Sequence, residues 1–135
     1  MSAFANISLN DGQATPVAHV FSPKSCIGTT ALYEDRSSGI AISYKKLMLE
    51  TKDTTNLRRI HVRVQDPVLE AVTGSNPAGF TPAPQVAFYC DFDGTFTVHA
   101  RSSLQNREDI VAYVSSLMTN EVLKALVRDG DEIYG

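Results

Sequence analysis

The sequence predicts an α+β chain: an N-terminal β-hairpin, an antiparallel meander sheet and two C-terminal helices. Three observations lead there. Apolar and polar residues alternate in short runs as far as His99. Helical spacing of apolar residues begins only after Asn106. Turn-forming clusters separate the runs. Strands followed by helices is the α+β order, and strands joined by short turns pair antiparallel. At 135 residues the chain reads as a single domain, long enough for a core. Within it we read residues 1–21 as the hairpin, 22–99 as the sheet with a long loop at 67–84, and 104–130 as the helices.

A hydrophobic content of 43% with 20% charged residues is that of a globular chain, and the net charge is −3. No apolar run approaches membrane-spanning length, so no membrane partner is expected. The start, MSAFANISLNDGQ, lacks the basic residues and apolar core of a signal peptide. Cys26 and Cys90 are far apart and have neither metal-ligand nor redox spacing. Both are expected as free thiols of a reducing compartment, with a disulfide as the alternative. No cofactor or metal is expected.

The elements follow in order. FANISL (residues 4–9) and VAHVF (17–21) form the hairpin around Asp11-Gly12. His19 lies in the second run and reads as a surface residue, because no His or Cys stands at ligand spacing from it. Residues 22–39 read as loops around a short strand at Thr30–Tyr33. In the next strand Leu47 and Leu49 share one face, and Lys46, Met48, Glu50 and Lys52 share the other. The DTTN turn leads into LRRIHVRVQDP, Leu57 to Pro67, where the strand is expected to stop. Here Ile60, Val62 and Val64 alternate with Arg59, His61, Arg63 and Gln65. These two strands should pair antiparallel with their polar faces on one side. A basic row on an open sheet face attracts phosphate, although an ordinary solvated face shows the same pattern.

The Gly- and Pro-punctuated loop at 67–84 exceeds the usual loop length, which marks it as functional or disordered. QVAFYCDFDGTFTVH follows, with Phe88, Cys90 and Phe92 expected toward the core and Tyr89, Asp91 and Asp93 opposite. Gly94 marks a bulge or a close approach. His99 ends the strand without an evident chemical partner. Asn106, with Asp109 three residues on, reads as the first helix cap. Ile110, Val114 and Leu117 form that helix's stripe. A second helix starts near Thr119 or Asn120, carries Val122, Leu123, Leu126 and Val127, and stops at Asp129-Gly130. Both stripes must cover a sheet, either the chain's own or a partner's.

Two resemblances bear on function. Asp91-Phe92-Asp93-Gly94-Thr95 resembles the first motif of haloacid-dehalogenase phosphatases, in which the first Asp is the nucleophile and the second a general acid/base. That family needs a parallel α/β core downstream, and too few residues follow Thr95 to build one. We therefore expect no enzyme. The other resemblance spans nearly the whole chain. YKKLMLETK (Tyr44 to Lys52), IHVRVQDP (Ile60 to Pro67), Tyr89-Cys90-Asp91 and the terminal Ile133-Tyr134, in this order, are similar to the coat proteins of the single-stranded RNA bacteriophages, the leviviruses.

That resemblance implies an interlocked dimer with one continuous sheet, each subunit's helices reaching across its partner. It implies dimers closing into an icosahedral shell around single-stranded genomic RNA, assembled in the bacterial host cytoplasm and residing in the virion. It also implies binding of an RNA hairpin that represses translation. Carried over residue by residue, the RNA-facing set is Lys46, Met48, Arg59, His61, Arg63, Tyr89 and Asp91. Tyr89 would stack on a base and Asp91 would accept a hydrogen bond from one. The chain departs from the family at Met48 and Glu50, where relatives carry small hydroxyl residues lining a pocket for an unpaired adenine. A small oligomeric RNA-binding regulator that builds no shell is the remaining alternative.

Overall fold

A computed structural model describes residues 3–70 and 83–133, so most of the long loop and the terminal Tyr134 lie outside the described residues. Six strands precede two helices: β1 (Ile7–Asn10), β2 (Ala18–Ile27), β3 (Thr30–Asp35), β4 (Lys45–Asp53), β5 (Leu57–Leu69), β6 (Val86–His99), α1 (Leu104–Met118) and α2 (Glu121–Arg128). The strands form one sheet in sequence order, and the pairings from β1 to β5 are all antiparallel. The predicted meander and C-terminal helices are therefore present. The chain divides into a sheet unit, Met1–Thr97, and a helical unit, Val98–Gly135.

In the sheet unit, β1 and β2 form the N-terminal hairpin, from Ile7↔Phe21 to Asn10↔Ala18. The Asp11 carboxylate organises its turn, accepting from the Gln13 and Val17 amides at 3.2 and 3.0 Å. Phe4 lies ahead of the ladder, and its ring meets Tyr33 edge-on at 5.3 Å. His19 is not a simple surface residue. It is half-buried, with Nδ1 2.9 Å from Asp35 and Nε2 3.1 Å from Asp11. Sequence spacing could not show this, because Asp35 arrives from another strand. β2 runs on past Phe21, with a register shift between Pro23 and Ser25 that accommodates the proline. Gly28, at φ 61°, supplies the left-handed residue of the turn into β3.

The core is small: Phe21, Tyr33 and Leu47 are buried, with Ile7, Ala31, Leu49, Val62 and Val64 packed against them. It therefore takes the apolar face of both β4 and β5. Thr54 closes the turn between them, its amide donating to the Leu57 carbonyl at 2.8 Å. Pro67 does not end β5, which continues to Leu69. The last pairing with β4 is Lys46↔Gln65, so no ladder N–H is required of Pro67 on that side. Just beyond the strand, Glu70 donates to the Gln85 carbonyl at 2.8 Å, ahead of β6.

β6 is an edge strand, at the opposite end of the sheet from β1. Phe88, Cys90 and Phe92 do not reach the core: Phe88 is 55% and Phe92 44% exposed, and Cys90 is exposed and free, as is Cys26. The buried residues lie on β2–β4, and the side chains packed against them reach β5 but not β6. Gly94 marks a close approach, since a Cβ there would stand 2.8 Å from the Phe92 ring.

The helical unit begins where His99 Nδ1 accepts the Arg101 amide at 3.0 Å, a partner the sequence did not suggest. The cap of α1 is Ser103 rather than Asn106. Ser103 Oγ accepts the Asn106 amide at 3.2 Å, and Asn106 Oδ1 accepts the Ser103 amide at 3.0 Å. Asn106 is thus the third residue of a reciprocal capping box. Asp109 accepts from the Gln105 side chain instead, at 2.7 Å. Asn120 caps α2 through the Val122 amide at 2.9 Å, and Gly130 follows its end at φ 67°. No residue of either helix is buried. No single helix among the described residues is long and apolar enough to cross a membrane.

Candidate functional site

The site is the face of β4, β5 and β6 turned away from the core. Strand alternation fixes its membership. Leu47, Leu49, Val62 and Val64 contact the core. Their neighbours must point the other way. Register then sets the rungs: Lys46↔Gln65, Met48↔Arg63, Glu50↔His61 and Lys52↔Arg59. From β6, the Asp91 carboxylate lies 3.5 Å from Arg63, and the Asp93 carboxylate meets His61 Nε2. Tyr89, two residues before Asp91, shares their face and is 54% exposed. The structure therefore brings Lys46, Met48, Arg59, His61, Arg63, Tyr89 and Asp91 onto one surface.

The charges there are partly matched. Arg63 has Asp91 beside it. His61 lies between Asp93 and Glu50, the latter 3.8 Å from Nδ1. Lys52 is 3.4 Å from Glu50. Lys46 and Arg59 are exposed and, among the described residues, have no ion-pair partner. Positive charge available to an external anion is thus concentrated at Lys46 and Arg59.

Sequence reasoning missed part of this surface. Glu50, Lys52, Arg59, His61 and Thr95 line a shallow depression of about 200 Å³. Alternation alone places Glu50 and Lys52 on the face. Thr95 joins them only through the alignment of β6 with β5. No cluster of side chains suited to a metal ion occurs among the described residues. Asp91 and Asp93 face Arg63 and His61 from the edge of a meander whose assigned pairings are antiparallel. That is not the parallel α/β setting the phosphatase motif requires.

Among the described residues, an edge strand with Phe88 and Phe92 exposed, and two helices that bury no residue, describe a subunit that completes its burial by association. The class is that of a structural assembly protein. Comparison with known proteins narrows it. The family model for levivirus coat protein matches residues 2–134. The solved virus-like particle of bacteriophage NT-214 is 32% identical, with TM-score 0.87 over 98% of this chain and 100% of that one. The virus-like particle of bacteriophage ESE058 is 26% identical, with TM-score 0.90 over 98% and 100%. The bacteriophage GA capsid protein shares the fold at 14% identity, with TM-score 0.76 over 98% of each chain. No curated protein matches the sequence. The chain belongs to the levivirus coat protein family. It is a major capsid protein, and its place is the virion.

Proposed function

We propose that the chain forms an interlocked dimer, that dimers close into an icosahedral shell around single-stranded genomic RNA, and that the polar face of β4–β6 binds that RNA. Two copies of β6 pairing about a two-fold axis would join the two sheets into one. The stripes of α1 and α2 would then cover the partner's apolar face, including Phe88 and Phe92. Assembly would take place in the bacterial host cytoplasm. The RNA reading rests on one observation: Lys46, Met48, Arg59, His61, Arg63, Tyr89 and Asp91 share a surface. Cations there neutralise phosphates, and Tyr89 offers an exposed ring for a loop base. A dimer engaging one hairpin near a start site would block translation.

Electron microscopy of the purified protein tests assembly, and filter binding of hairpins from the phage's own RNA to dimers tests the face. Uniform closed shells and salt-dependent hairpin binding are expected. Dimers that bind RNA and never close into shells would define a small regulator instead.

A further inference from the structure

The depression beside His61 has a chemistry that selects among nucleobases. Glu50 stands inside it with only 23% of its side chain exposed, and its carboxylate accepts no hydrogen bond from the described residues. Lys52 Nζ lies 3.4 Å from Oε1, and His61 Nδ1 lies 3.8 Å from Oε2. The His61 ring and the stems of Lys52 and Arg59 supply apolar walls. The site therefore presents a donor, Lys52, beside two acceptor atoms of one carboxylate.

An ionised carboxylate only accepts hydrogen bonds. The pairing edge of adenine sets an acceptor, N1, next to its amino donor. Cytosine does the same with N3. Uracil flanks its single N–H with two carbonyls. Each would turn an acceptor toward Glu50 or leave one carboxylate oxygen unmatched. Guanine alone has two adjacent donors, N1–H and the N2 amino group, followed by the O6 acceptor. That order complements Glu50 and Lys52.

We infer that this depression takes an unpaired guanine of the RNA, its pairing edge held by Glu50 and Lys52. The inference rests on the RNA reading of the same face and gives it a base specificity. Arg59, directly across from Lys52, is left to hold a neighbouring phosphate.

A pool of RNA hairpins with one stem and a randomised loop, bound to wild-type and variant dimers, tests it. Wild-type protein should enrich guanine at one loop position. In the selected hairpin, inosine at that position lacks the N2 amino group and should bind roughly tenfold more weakly, and adenine at least as weakly. Glu50→Gln keeps the shape but offers one acceptor and one donor, which matches adenine or cytosine. It should lose the guanine preference, shift toward adenine or cytosine and still form shells. Enrichment without guanine, or a guanine preference unchanged in Glu50→Gln, overturns the assignment. If hairpins bind in a salt-dependent way that Tyr89→Ala weakens, yet no guanine is selected, the RNA face stands and the base assignment falls. If no hairpin binds, both fall.

Discussion

Tyr89 is the sharpest single-residue test of the polar face. Its ring is more than half exposed and lies on the Asp91 side of β6. Stacking of a loop base on such a ring is worth about 1–3 kcal/mol. Tyr89→Ala should therefore weaken hairpin binding roughly ten- to a hundredfold while leaving its salt dependence unchanged. Unchanged binding in filter assays would move the RNA site elsewhere. Arg59→Ala should flatten the salt slope by about one unit, because that guanidinium has no ion-pair partner among the described residues to compete with a phosphate. Arg63→Ala should flatten it less, since Asp91 sits 3.5 Å away. His19 makes a different, pH-dependent contribution. The Val17 amide, with help from His19 and Gln13, lowers the Asp11 carboxyl from 3.8 to about 2. Burial alone would raise Asp35, but bonds from Ser37 and His19 outweigh it and lower it. Asp11 and Asp35 in turn raise His19 above 6.5, against burial and the charge of Lys45. The carboxylate contributions are lost as pH falls below 3.8, and that of His19 as pH rises through its raised value. Denaturation midpoints should fall on the alkaline side in wild type and stay flatter there in His19→Gln. Parallel curves for the two proteins would show that the bridge adds no stability.

At the scale of the element, each helix start is secured by a short polar side chain. Ser103→Ala removes the acceptor for the Asn106 amide and should cost about 1 kcal/mol in chemical denaturation. Asn106→Ala should cost less, because the Ser103 amide it serves can turn to water. The capping motif was legible in the sequence, but its position was not. Asn106 is itself a good cap residue, and only the reciprocal bonds show that Ser103 holds that place. β5 gives a similar lesson. Proline commonly stops a strand, yet at Pro67 the β4 partner has already ended, so the strand runs on. Such outcomes depend on what the neighbouring strand asks of each amide.

At the scale of the whole molecule, the exposed stripes decide the test. Leu117 is 52% exposed in the single chain, so a charge there costs its own helix little. Buried against a partner, the same charge would cost several kcal/mol. Leu117→Asp should therefore abolish the soluble dimer in sedimentation experiments. Leu126→Asp should do so too, with added damage to the helix pair, since Leu126 is already half-buried. A folded, monodisperse wild-type monomer at micromolar concentration would sink the dimer proposal.

The sequence by itself determined the α+β order, the strand faces of β4 and β5, the two helical stripes and the membership of the cationic row. Backbone geometry sets these periods within a few residues, so neighbouring side chains suffice to read them. Only the tertiary structure decided that His19 bridges Asp11 and Asp35, that Thr95 closes a depression with Glu50 and Lys52, and that Phe88 and Phe92 find no cover in their own sheet. Each joins residues distant along the chain, or depends on where the core ends. Strand alternation gives the direction of a side chain. It does not give the strand register, or what lies above the face.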